Sequence, residues 1–179
     1  MLETLNQFNW NSIHHAYGAA GDIPPLIRSL LSQQKENRQK AIEELDNLIH
    51  HQGTLYEAAF YVAPYFVELL NNSDTPDKDI IAASFADLAK DITQIEESER
   101  DYKWAKSLRE TVEENISLLY PFLKSPNEGV RWVITRTLAI FPKYKSITLP
   151  LLKEAFIAEP HKEVKKEMEK AINILQSLN

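Results

Sequence analysis

Pro25-Leu26-Ile27-Arg28-Ser29-Leu30-Leu31 is the stretch on which the fold turns, because its pattern returns along the chain in degenerate form. It recurs as Pro64-Tyr65-Phe66-Val67-Glu68-Leu69-Leu70, as Leu118-Leu119-Tyr120-Pro121-Phe122-Leu123 and as Pro150-Leu151-Leu152-Lys153-Glu154-Ala155-Phe156. Each copy is followed by a short polar turn and a second apolar segment. Leu26, Ile27, Leu30 and Leu31 share one helix face, and after the polar run Gln33 to Asn37 the same periodicity resumes with Ala41, Ile42, Leu45, Leu48 and Ile49. A helix pair with one greasy flank cannot bury it alone, so neighbouring pairs must stack. The expected fold is all-α, a right-handed α-α superhelix of about four to five helix pairs, each of roughly 35–45 residues.

Start signals divide the chain further. Asp22-Ile23-Pro24-Pro25 places an acid and prolines in a first turn, where a missing N–H costs little. Thr54 and Glu57 have the spacing of a capping box, and the helix they would open is apolar almost all round, with Pro64 in its middle predicting a kink. Thr75-Pro76-Asp77 predicts the partner helix, with Ile80, Ile81, Phe85 and Leu88 in its core face. A long helix is expected over about 102–124, and Ser125-Pro126-Asn127-Glu128 signals the next one, with Ser125 as cap. A last pair is expected over about 146–157 and 160–178. The chain reads as one domain over 1–179, with an N-terminal cap over 1–21 and a charged insertion loop over 93–103.

Composition narrows the class. With 44% apolar and 26% charged residues the chain resembles ordinary globular proteins, and its 4 glycines argue against an all-β fold with many tight turns. There is no apolar run of about 18 residues and no basic start followed by an apolar stretch, which predicts neither a membrane span nor export. The absence of cysteine removes disulfides, thiolate metal sites and cysteine nucleophiles, and fits a cytoplasmic setting. A net charge of −6 disfavours a general nucleic-acid binder, which needs a basic surplus to displace counterions. The charge is uneven: residues 1–119 hold 20 acidic and 10 basic side chains, whereas residues 120–153 hold 1 and 6.

From Leu123 to Pro142 the sequence resembles a HEAT repeat: an apolar first helix, a polar turn, then Val130-Arg131 opening a second helix backed by Val133, Ile134, Leu138 and Ile140. Lys78-Asp79-Ile80-Ile81 and Lys162-Glu163-Val164-Lys165 keep the apolar residue of this pattern without its arginine, and the pattern covers about residues 22–178. Trp10 to Asp22 and His51 to Tyr56 resemble the opening of small bacterial HEAT-repeat proteins. The resemblance implies an armadillo-like solenoid that holds a protein partner in its groove or on its repeat-edge loops, with an inhibitor or immunity-type binder as one form. It implies no chemistry. Because some HEAT-like proteins bind duplex DNA and excise damaged bases through a concave basic face, it also implies an alternative for the basic 120–153 section.

Two histidine doublets, His14–His15 and His50–His51, are the sharpest local feature. On a helix, adjacent side chains diverge by about 100°, so each doublet could offer one metal ligand. No His-x-x-x-His or Glu-x-x-His spacing supplies the rest, so neither a metal nor a cofactor is expected. One histidine of each doublet is expected to bond turn backbone while its neighbour is solvated. Alternatively, both doublets lie at repeat edges beside aromatics, which makes Trp10, His15, Tyr17, His51, Gln52 and Tyr56 a candidate partner-binding surface. The nucleic-acid alternative rests on Arg131, Trp132, Arg136, Lys143 and Lys145, with the Arg136 guanidinium over the Trp132 indole. Against it stands a stacking role in which Arg131 holds an acid of the preceding repeat. The carboxylate pairs Asp87/Asp91 and Glu110/Glu114, beside Lys90, Lys106 and Arg109, read as solvated charge. Without a serine elbow or a glycine-rich phosphate loop, the expected function is a non-enzymatic protein-binding scaffold.

Overall fold

The computed structural model describes residues 2–92 and 102–177 and is mostly helical. In chain order the elements are β1 (His14–His15), β2 (Gly18–Ala19), α1 (Ile23–Ser29), α2 (Lys35–Ile49), β3 (His50–His51), β4 (Thr54–Leu55), α3 (Ala58–Asn71), α4 (Lys78–Ile92), α5 (Tyr102–Glu114), α6 (Glu128–Ile140), α7 (Lys145–Ala158) and α8 (Lys162–Ser177). Between α5 and α6 runs a 3-10 segment, Ile116–Lys124, and shorter 3-10 turns lie at Glu3–Asn6, Trp10–Ser12 and Pro142–Tyr144. The expected insertion at 93–103 lies outside the described residues, except that its last two positions belong to α5.

Packing follows chain order. α1 packs on α2, α3 on α4, the 3-10 segment on α6, and α7 on α8. The second members of these pairs touch in sequence, α2 on α4, α4 on α6 and α6 on α8, while α5 lies against both α3 and α4. Buried side chains from Leu2 to Leu175 form one cluster, in which Phe66, Phe85, Leu108, Ile134 and Met168 are fully enclosed. Truncating one of the two phenylalanines should cost about 3–5 kcal/mol, transfer and cavity terms together. The N-terminal residues lie on α3: the Leu2 amide donates to Glu68 Oε1 at 2.7 Å, and Leu5 and Trp10 are buried.

Local departures from the sequence reading have physical causes. Thr54 does not open a capping box with Glu57; it sits in β4, and α3 starts without a side-chain cap. Pro64 lies inside α3 on its exposed face, where a carbonyl left without its donor can meet water. The helix expected over 102–124 is α-helical only to Glu114. There Asn115 turns its Nδ2 back onto the Thr111 carbonyl at 2.9 Å, a side-chain bond that competes with the helical ladder, and the chain continues as the 3-10 segment that accommodates Pro121. The cap of α6 is Asn127 rather than Ser125: its Oδ1 accepts the amides of Gly129 at 2.9 Å and Val130 at 3.4 Å.

Two arginines make matching bonds at the fourth position of their helices. Arg38 in α2 donates through Nη1 to the Ser32 carbonyl at 2.8 Å and through Nε to Asp77 at 2.7 Å, in the turn before α4. Arg131 in α6 donates through Nη1 to the Ser125 carbonyl at 2.7 Å and through Nε to Glu159 at 2.7 Å, in the turn before α8. Each ties its own turn to an acid in a later turn. The acid is therefore in the following unit, whereas the sequence reading put it in the preceding one. Between these two ties the Ser125 hydroxyl donates to Asp79 Oδ2 of α4 at 3.4 Å.

Candidate functional site

The histidine doublets lie in strands of two-residue hairpins, so their adjacent side chains point to opposite faces rather than diverging around a helix. His15 pairs with Gly18, and His51 with Thr54. In the second hairpin Gln52 and Gly53 form the connection, with φ of 50° and 80°, the left-handed pair that a tight hairpin requires. Both hairpins are held by the end of α2, whose last carbonyls have no helical donor: the Ala16 amide donates to Leu48 and the Tyr56 amide to Ile49, at 3.0 and 2.9 Å.

This anchoring brings three of the six candidate edge residues together. His15 is buried, and its Nδ1 accepts the Tyr17 amide at 3.0 Å, which assigns the ring proton to Nε2 and so to the bond with Asp22 Oδ1, also at 3.0 Å. Asp22 thus serves His15 and does not cap α1. Tyr17 is 61% exposed, and its hydroxyl lies 3.1 Å from His51 Nδ1 and accepts from Asn47 Nδ2 at 3.3 Å. His51 Nδ1 lies 2.8 Å from Asn47 Oδ1. Gln52 sits exposed at the tip of the same hairpin, and His14 is exposed as well. Tyr56 is half-buried and contributes its backbone amide. Trp10 does not belong to this edge: it is buried, donates through Nε1 to the Leu5 carbonyl at 2.7 Å, and packs edge-on against Phe8 and Tyr61.

The residues of the basic section are dispersed. Arg131 is buried, with Nε and Nη2 forking onto both oxygens of Glu159 at 2.7 and 2.8 Å, and its hydrogen bonds hold that carboxyl below the usual carboxylate range. Arg136 lies over Trp132 with its guanidinium carbon 4.5 Å from the ring centroid, and is 3.7 Å from Glu167. Lys143 is exposed and 3.5 Å from Glu113, while Lys145 opens α7. Arg131 stands in the first turn of α6, and Lys143 lies past its end in the turn Pro142–Tyr144. Arg131, Arg136 and Lys143 thus each lie beside a glutamate.

A groove that sequence reading missed crosses α2, α4 and α6 and has a volume of about 420 Å³. Its polar lining includes Glu43 and Asp46 from α2, Asp87 from α4 and Asn127 ahead of α6, with Trp132 and Val133 as an apolar wall. A smaller hollow of about 160 Å³ shares Asp46, Ser84 and Asp87 and extends the depression to Asn47 and His50 beside the hairpin. Burial pushes the Asp46 carboxyl up to about 7; the Ser84 hydroxyl, donating to Oδ2 at 2.8 Å, pulls it down, and the nearby Asp87 charge adds to the rise. Asp87 is half-buried and lines this groove, whereas Glu110 and Glu114 are exposed and the Asp91 side chain lies outside the described residues. Asp87 joins the carboxylates of α2 only through the contact of α2 with α4, and no short motif joins Asp46 to Asp87 in the sequence.

Among the described residues no group of three or more His, Asp and Glu side chains is arranged to hold a metal ion. No helix there is long and apolar enough to cross a membrane. No family model matches the chain, and comparison with curated proteins and with solved structures returns no match.

Proposed function

We propose that the chain is a HEAT-type α-solenoid, acting in the cytoplasm as a non-enzymatic scaffold that holds a protein partner in the groove over α2, α4 and α6. The repeat reading is supported by the matching bonds of Arg38 and Arg131, each joining its own turn to an acid in a later turn, and by the chain-order contacts of the second helices. The observation that carries the binding reading is the groove itself, an open depression across three successive second helices that combines an aromatic wall with carboxylates. A few such anchors supply most of the affinity of a protein interface. The hairpin edge with Tyr17 is the competing surface on the same molecule.

Capture from extract of the native cell tests the choice. The native chain, a groove variant carrying Glu43→Lys with Asp87→Lys, and an edge variant, Tyr17→Ala, are compared by mass spectrometry. The expected result is a partner retained by the edge variant and lost by the groove variant. Loss on Tyr17→Ala alone would move the site to the hairpins.

A further inference from the structure

The occupant of the groove can be narrowed by its size, its charge and one unusual carboxyl, on the reading that the groove is the partner site. Packed helices lie about 8–10 Å apart, so a depression crossing from α2 over α4 to α6 is roughly 16–20 Å long. A free amine would fill one end of it. An extended peptide of about five or six residues, at ~3.3 Å each, spans it. Glu43, Asp46 and Asp87 line the α2–α4 end, no lysine or arginine among the described residues lines the groove, and Trp132 offers a ring face of the kind that Arg136 already covers. Charge complementarity therefore selects a cationic segment, with its ammonium or guanidinium group at the α2–α4 end and apolar side chains toward Val133.

We propose that the groove takes a lysine- or arginine-bearing segment of a partner protein, and that the entering cation displaces a proton from Asp46.

Asp46 is set between α2 and α4, where its Oδ2 accepts from Ser84. Facing it are Glu43 from its own helix, Asp87 from α4 and His50 from β3, while the residues that α6 adds to the lining are uncharged. Ionising Asp46 in the empty groove costs desolvation and repulsion from Asp87, which holds the carboxyl protonated up to about 7. A cation set between the two carboxyls offsets both costs at once. Binding then carries a proton off below that pH, and affinity falls about tenfold for each pH unit on the acid side of it. Protonation of His50 would also oppose a cation, so the two groups must be separated by experiment.

The probe is an oligolysine peptide, titrated calorimetrically from about pH 5.5 to about pH 8 in two buffers of different ionisation enthalpy, so that protons released are counted. The native chain is expected to release a proton at the acid end and to bind more tightly as pH rises to a plateau. Asp46→Asn is expected to abolish both the release and the slope, and His50→Gln to keep both. Asp87→Asn should weaken binding on the plateau. A native affinity flat across the range would overturn the proton coupling, as would a slope that survives Asp46→Asn and disappears in His50→Gln. Should the peptide fail to bind at every pH while the groove variant still loses its captured partner, the basic occupant is refuted and the scaffold stands. Should the peptide bind as described while the captured partner depends on Tyr17, the scaffold assignment fails and the cation site stands.

Discussion

Arg131→Met is expected to destabilise the chain by about 3–5 kcal/mol, the cost of leaving one member of a buried ion pair unpaired. Arg131 supplies three hydrogen bonds, two to Glu159 and one to the Ser125 carbonyl, and Glu159 is 6% exposed. Methionine replaces much of the aliphatic stem but none of the donors, leaving Glu159 with the His161 amide at 2.8 Å. Arg38→Met serves as the internal comparison. It removes the bonds to Asp77 and the Ser32 carbonyl and a third to the Gln33 carbonyl at 3.2 Å, but the Asp77 side chain is 28% exposed and can be rehydrated, so the cost should be about 1–2 kcal/mol. Combining Arg131→Met with Glu159→Leu should recover most of the loss, since an apolar pair carries no buried charge. Urea unfolding gives the magnitudes, and hydrogen exchange shows whether α7 and α8 loosen first. Because Glu159 is held below the ordinary glutamate value of 4.5, its contribution is complete above that value and disappears as pH falls through the lower folded-state value, so the native chain and Arg131→Met should converge in acid. A cost for Arg131→Met below about 1 kcal/mol, or equal to that of Arg38→Met, would refute the reasoning.

Other substitutions probe other parts of the account. The folded chain keeps a proton on Asp46 between the ordinary aspartate value of 3.8 and about 7, so its stability declines as pH rises through that window. Asp46→Asn should be nearly neutral at the acid end and stabilising by about 2–4 kcal/mol above it; unfolding midpoints across pH check this, and a destabilised variant at alkaline pH would contradict it. Gly53→Ala places a Cβ at φ 80° and should cost about 1 kcal/mol in thermal unfolding even though nothing stands within 4 Å of the new atom. His15→Leu removes the partners of Asp22 and of the Tyr17 amide, with an expected loss of about 1–2 kcal/mol and a shifted Tyr17 ring signal in NMR spectra.

What the sequence makes legible is what depends on neighbours along the chain. The i, i+4 apolar rows of Leu26, Leu30 and of Ala41, Leu45, Ile49 predict α1 and α2, and proline with polar residues beside it predicts the starts of α1, α4 and α6 to within a few residues. The hairpins escape because strands of two residues are too short to show alternation; the Gln52-Gly53 pair between His51 and Thr54 was the one signal available. Tyr17 and His51 can be grouped from the sequence because one lies beside a histidine doublet and the other belongs to the second, whereas Trp10, grouped with them for its proximity along the chain, turns inward. Asp46 looks like any charge on an amphipathic helix. What sets it apart is Ser84 and Asp87 on a helix that reaches it only by packing. Arg38 is silent in the sequence for a related reason, since the valine-arginine pair of the repeat pattern is absent there and its tie to Asp77 appears only in three dimensions.

Hydroxyl-radical footprinting of the chain with and without the partner captured from native-cell extract bears most directly on the groove. Trp132 on its wall and Tyr17 on the hairpin edge are both reactive aromatics that water reaches, one half-buried and one exposed. Partner binding is expected to suppress labelling of Trp132 and leave Tyr17 unchanged. Suppression at Tyr17 with Trp132 still labelled would contradict a groove-bound partner.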